Sequence, residues 1–157
     1  MKQELSGKKL LILGANPETV PLVKTANIMG VLTIVTSNRP DDPAKKYAWK
    51  SCDVDGLDVP GLIALARQEN IDGVLVGVAD ILVSAYCKVC EALGLPCYAA
   101  RNIVDIFSYK DTFKAVCERY GIHGIPEYYL DADMNPEDLS RIKYPVMVKH
   151  QCTATAV

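Results

Sequence analysis

A chain of 157 residues, half of them hydrophobic and 23% charged, holds enough apolar material for a packed core, which excludes global disorder. With 17 Lys and Arg against 19 Asp and Glu, the net charge of -2 comes without any basic block that could follow a phosphate backbone, which argues against nucleic acid as a partner. No apolar run approaches the ~18 residues that cross a bilayer, and the opening MKQELSGKK lacks the apolar segment of a signal peptide, so a cytoplasmic protein without membrane contact is expected.

Residues 9–14 (KLLILG) form a short continuous apolar run ending in Gly-Ala-Asn-Pro, the pattern of a strand buried on both faces and a following turn. Pro17 and Glu18 suit a first helical turn, and Leu22, Ala26 and Met29 recur at helical spacing until Gly30. A second strand is read at 31–36 (VLTIVT), a loop at Pro40-Asp-Asp-Pro43 and a helix at 59–69 with Leu62, Ile63, Leu65 and Ala66 inward. A third strand is expected at 73–78 (GVLVGV). An amphipathic helix from Asp80 then carries Leu82, Ala85, Tyr86, Val89 and Leu93 and stops at Gly94 and Pro96, before a short fourth strand at 97–99.

Strands alternating with helices at this spacing need right-handed crossovers, which build an open, largely parallel α/β sheet of Rossmann-like type over residues 1–100. From residue 101 the character changes. Two short helical segments lead to Gly121-Ile-His-Gly-Ile-Pro126, an extended stretch at 127–130, an acidic loop and the apolar run 144–149 (YPVMVK), read as a strand. The six cysteines are too sparse for a disulfide scaffold in a chain with its own core; Cys87-Lys-Val-Cys90 has metal-knuckle spacing but no second pair, and reads as buried small hydrophobes.

A dinucleotide phosphate turn needs three glycines, and Gly14-Ala-Asn-Pro-Glu-Thr supplies one; Glu18 would also repel a phosphate at the helix start. Ser37-Asn38-Arg39 follows the second strand where an acid for the ribose would stand, which leaves NADP as a competing reading through Arg39. The second half points elsewhere. Ser108-Tyr-Lys-Asp111 has the capping-box arrangement, which places Lys110 in the first turn of a helix whose dipole it opposes, as suits a neighbouring anion. Lys149, ending the run Pro145-Val-Met-Val148, is a second ammonium at a buried edge that needs a partner.

In order and spacing, KKLLILGANPETVPLVKTANIMG, NRPDDPA, QENIDGVLVGVADI and ALGLPCY resemble the pre-ATP-grasp domain of ATP-grasp ligases of the carbamoyl-phosphate-synthase-like branch. YKDTFKAVCERYGIHGIPEYYL and YPVMVK resemble the connector and the strand that carry two ATP-contacting lysines, here Lys110 and Lys149, so residues 101–157 would open an α+β ATP-grasp domain. The resemblance implies ATP and magnesium as cofactors, with a small-molecule carboxylate activated as an acyl phosphate and attacked by an amine or similar nucleophile. Phosphoryl transfer of this kind depends mainly on positioning and charge neutralisation. The sequence departs from the family pattern after Lys149, where His150-Gln-Cys-Thr-Ala-Thr-Ala-Val157 has neither the Pro nor the glycine-rich loop. Metal-binding carboxylates would lie beyond Val157, so the chain alone is expected to be an incomplete catalyst.

Asn16, Arg39 and Asp80 stand just beyond strands, where open parallel sheets bind ligands; the first two would meet a substrate carboxylate and Asp80 an amine, against plainer roles as turn residue, solvated charge and helix cap. His123 and His150 have no partnered nucleophile motif, and Trp49 reads as packing a loop against the sheet. A third reading is a non-catalytic association module, whose exposed sheet edge or apolar patch would form a homodimer.

Overall fold

The computed structural model describes residues 5–126, 128 and 135–147. Four strands, β1 (Lys9–Leu13), β2 (Leu32–Thr36), β3 (Lys50–Cys52) and β4 (Gly73–Val76), form one parallel sheet in the order β3-β2-β1-β4. Leu11 of β1 stands opposite Ile34 of β2 on one side and Val74 of β4 on the other. Leu11, Ile12 and Leu13 are all 0% exposed, because successive side chains of this central strand enter opposite faces and both faces are covered.

Leu11, Leu13, Ile34, Val74 and Val76 share one apolar cluster with Leu62 and Ala66 of α2 (Val59–Glu69) and Tyr86 and Val89 of α3 (Val83–Leu93). Ile12 and Val35 point the other way, to Val23 of α1 (Val20–Ile28) and to Ala44 of the 3-10 turn Pro43–Tyr47. The alternation along one strand thus sorts the helices onto two layers, the expected open α/β arrangement. Asp58 caps α2 by accepting from the Gly61 N–H at 3.1 Å, and left-handed Asn70 and Gly94 end α2 and α3.

Several expectations are corrected. The sheet holds an additional strand, β3, whose sequence Lys50-Ser-Cys52 carries no apolar alternation because it is a short, exposed edge. Residues 97–99 form a bend instead of a strand: the Tyr98 N–H donates to the Tyr86 hydroxyl at 3.1 Å and the two rings stack with centroids 4.7 Å apart, so this backbone is held by α3. Ser108 closes α4 (Arg101–Ser108) and does not cap the next helix; Tyr109 precedes α5 (Lys110–Arg119) in extended conformation, and the Thr112 hydroxyl donates to the carbonyls of Ile106 and Tyr109. The expected strand at 144–149 is absent from 144–147, and its remainder lies outside the described residues, as does 127–130 apart from Tyr128.

By internal contacts the chain forms two units, Met1–Asp105 and Ile106–Val157. The first contains the sheet. The second contains α5 and the short α6 (Pro136–Ser140), with Phe107 and Phe113 packed at 5.5 Å between ring centroids. Among the described residues no helix is long and apolar enough to cross a membrane.

At the amino edge of the sheet, the Asp72 carboxylate accepts from the Lys8 ammonium at 2.7 Å and from the Lys9 N–H at 2.8 Å, tying the entries of β1 and β4. The Lys8 bond first, and then the Lys9 amide, holds the Asp72 carboxyl below its ordinary 3.8. A depressed folded pKa adds stability that is present above that ordinary value and disappears as pH falls through the folded one. Asp72→Asn is therefore predicted to unfold at lower urea than the parent at neutral pH, with the gap closing below about pH 4 as the parent's carboxyl protonates; urea midpoints across the acid range check this.

Candidate functional site

Parallel pairing brings the carboxyl ends of all four strands to one edge, where the loops after them converge. They enclose a shallow depression of about 190 Å³ whose polar lining comes from Asn16 after β1, Ser37, Asn38 and Asp42 after β2, and Asp55 after β3. Asn38 donates from Nδ2 to Asp55 at 2.8 Å, and Asp55 also accepts from the Leu57 N–H at 2.8 Å, so one carboxylate orders both its own loop and its neighbour's. Asn16 accepts on Oδ1 from the buried Thr19 hydroxyl. A larger hollow of about 340 Å³ lies between the ends of α2 and α3, lined by Ala66, Ile71, Leu93 and Leu95 with Arg67 and Asn70, away from the carboxyl ends of the strands. The strand-end depression is the better candidate, because it combines loop convergence with several polar side chains.

Lys45 builds the floor of this edge. Its side chain is 5% exposed, and its ammonium donates to the carbonyls of Ser37 at 2.9 Å and Arg39 at 2.8 Å and to Asp53 Oδ1 at 2.6 Å. All three ammonium protons are therefore used, so the buried charge stitches the loop after β2 to the residue after β3. Nothing in the sequence separates Lys45 from its exposed neighbour Lys46.

The turn after β1 is filled by protein. Gly14, at φ +87°, faces Leu82: a Cβ there would come within 3.1 Å of Leu82 Cδ1, and one on Gly56 within 2.7 Å of Cδ2. The left-handed backbone at Gly14 favours glycine, and the buried Leu82 packs closely against both Gly14 and Gly56 between the loops after β1 and β3. The helical start beyond it offers few donors, since Pro17 has no N–H, the Thr19 N–H bonds to the Asn16 carbonyl at 3.0 Å, and Glu18 adds a negative charge. A dinucleotide pyrophosphate would meet the Leu82 side chain, the missing N–H of Pro17 and the charge of Glu18 here.

Of the residues singled out from sequence, Asn16 lines the depression, whereas Arg39 and Asp80 are exposed and stand one residue beyond the lining residues Asn38 and Ala79. Asp80 does not cap the helix after it: it opens the 3-10 turn Asp80–Leu82, and Ala79 holds the cap position without a side-chain bond. Lys110 is the first residue of α5 and is exposed, with Asp111 beside it in the same turn; Lys149 lies outside the described residues. His123 is exposed in its turn, and Trp49 is about half exposed, with the Lys9 ammonium 6.0 Å from its ring, so it packs less deeply than expected. Asp42 and Asp55 were the lining residues least evident beforehand, although Asp-Asp-Pro and Asp-Gly are turn signals that mark their loops. Two carboxylates and no cationic side chain line the depression, which disfavours a phosphate there. Among the described residues no cluster of three or more His, Cys, Asp or Glu could hold a metal ion.

No protein-family profile and no curated protein matches the chain. Solved structures do match it. Phosphoribosylglycinamide synthetase from Anaerococcus prevotii is similar over 88% of this chain and 35% of its own, at 21% identity and a TM-score of 0.69. The L-amino acid ligase from Bacillus licheniformis is similar over 89% of this chain and 36% of its own, at 16% identity and a TM-score of 0.69. N5-carboxyaminoimidazole synthetase from Staphylococcus aureus, solved in complex with ADP, matches over 74% and 30%, at 16% identity and a TM-score of 0.57. Over the aligned residues the chain shares the fold of part of these ligases. It spans about a third of the length of these structures. The likeness drawn from the sequence motifs therefore holds at the level of the fold, and the Rossmann-like parallel sheet is the part of it described above.

Removing the buried ammonium while keeping its stem should loosen the site without emptying the core. Lys45→Met is predicted to cost about 2–3 kcal/mol, since two carbonyls lose their charged donor. Urea unfolding reads the loss, and faster hydrogen exchange confined to the loops at 37–42 and 53–56 would locate it.

Proposed function

We propose that this chain is the amino-terminal part of an ATP-dependent ligase of the carbamoyl-phosphate-synthase-like branch, which activates a small-molecule carboxylate as an acyl phosphate for attack by an amine or similar nucleophile. The observation that carries this reading is the shared fold: ligases acting on different substrates match 74–89% of the chain, and one of them was solved with ADP. In this reading Lys110 and Lys149 contact ATP. Lys110 is suited to that task because it is exposed in the first turn of α5, where the helix dipole favours an anion over the lysine's own charge. Asn16, Arg39 and Asp80 serve as substrate-facing residues around the strand-end depression, with Arg39 available for a carboxylate and Asp80 for an amine. Magnesium would accompany ATP. The setting is cytoplasmic.

The fit of the nucleotide to the residues in hand is partial. An exposed cation at a helix start is a phosphate contact, and the described residues alone do not complete a site. The lysines would position and neutralise charge on the nucleotide, which is the protein's main contribution to phosphoryl transfer. The NADP reading gains no such support, because Leu82 packs into the turn after β1 and Glu18 adds a negative charge at the helical start.

Calorimetric titration of the protein encoded by the complete reading frame separates the two. ATP–magnesium is predicted to bind and NADP not to, with Lys110→Ala weakening ATP about tenfold, the equivalent of one charge-assisted hydrogen bond. Tight NADP binding without a response to ATP would overturn the proposal.

A further inference from the structure

Three sulfurs gather where α3 ends. Left-handed Gly94 turns the chain back over the helix, the Leu95 N–H closes onto the Cys90 carbonyl at 2.9 Å, and Pro96 then delivers Cys97 alongside Cys87. The two Sγ atoms are 3.5 Å apart and unbonded. Cys97 is exposed, whereas Cys87 is 3% exposed and its thiol faces the Ala99 carbonyl at 3.9 Å. Cys87 and Cys90 are buried, as expected from the sequence, and the close sulfur pair joins the helix to the segment after it.

The surroundings give the two thiols different characters. Burial pushes Cys97 up, yet hydrogen bonds from the Ala99 amide, the Tyr86 hydroxyl and the neighbouring thiols outweigh it and hold Cys97 below the ordinary thiol value. Burial, reinforced by Cys97, pushes Cys87 up to about 12, and burial likewise takes Cys90 to about 11. An exposed sulfur whose pKa is held below the ordinary thiol value, with a buried sulfur in van der Waals contact, is the arrangement of an attacking thiol and its resolving partner. Disulfide closure from this separation needs a small side-chain adjustment, since bonded sulfurs sit about 2.05 Å apart.

We propose that Cys97 and Cys87 form a thiol modification site that reacts with low-molecular-weight disulfides and closes an intramolecular disulfide between α3 and the segment following it. The Cys97 thiolate attacks one sulfur of the small disulfide. That S–S bond breaks, and the departing thiolate takes up the proton that Cys97 had released. The Cys87 sulfur then attacks Cys97 in the mixed disulfide, and the second small thiol leaves with the Cys87 proton. The protein dithiol is oxidised by two electrons and the small disulfide is reduced to two thiols.

Oxidised glutathione is the probe. The full chain is incubated with it, its remaining thiols are alkylated, and it is cut with trypsin without reductant. Cleavage after Lys88 leaves Cys87 on peptide 68–88 and Cys90 and Cys97 together on peptide 89–101. The expected result is a covalent link between these peptides, assigned to Cys97 by fragmentation, with two of the six thiols lost. Cys90→Ser should keep the link and Cys97→Ser, at an exposed position, should abolish it along with any glutathione adduct on peptides 68–88 and 89–101. A lasting glutathione adduct on Cys97 with Cys87 still alkylatable, a link through Cys90, or no loss of thiols would overturn the proposal.

Discussion

Strand β1 is hydrogen-bonded in parallel on both sides and buried on both faces, and most of the first unit follows from that constraint. A central parallel strand cannot be joined to either neighbour by a tight turn, so the chain must cross over through helices each time. Those helices must cover both faces, because Ile12 and the pair Leu11 and Leu13 point in opposite directions and none of the three reaches water. The same pairing leaves every strand's carboxyl end on one edge. The candidate site is where it is because the sheet is parallel, before any particular side chain is considered.

What occupies that edge differs from a dinucleotide fold. Glycines at 14 and 56 admit the Leu82 side chain, and the buried Lys45 ammonium holds the loops after β2 and β3 with three donated hydrogen bonds. An apolar plug and a fully used cation leave Asn16, Ser37, Asn38, Asp42 and Asp55 as the polar lining, a surface with two carboxylates and no cation among its lining residues. In the proposed reading the phosphates of ATP would be met by single lysines and not by this edge. The weak net charge of the chain is consistent with this, since no broad basic surface is required.

The sheet was legible where burial imposes a pattern. The runs at 9–14 and 31–36 mark β1 and β2, strands whose faces are largely covered; the run at 73–78 marks β4, which ends at Val76, two residues short of the exposed Val78; and α2 was read at its observed bounds from the inward set Leu62, Ile63, Leu65 and Ala66. Legibility failed where side chains do not report burial. Strand β3 is an exposed edge held by backbone pairing, and residues 97–99 looked extended but bond to Tyr86. At the site, Asn16 could be placed from its position after a strand, whereas Lys45 could not, because its burial depends on carbonyls that only the folded loops bring together. The closeness of Cys97 to Cys87 likewise comes from the reversal at Gly94, which the CxxC spacing concealed.

The central claim concerns chemistry that the fold alone does not carry: ATP is used to activate a carboxylate. Positional isotope exchange in ATP labelled at the β,γ-bridging oxygen reports that step directly, because reversible transfer of the γ-phosphoryl group to a carboxylate lets the bridging oxygen rotate into a non-bridging place. With the protein encoded by the complete reading frame and magnesium, the account predicts scrambling that appears only when the cognate carboxylate is added, found by screening small acids, and that falls in Lys110→Ala. ATP turnover that proceeds without scrambling for every carboxylate, and is indifferent to their presence, would contradict it.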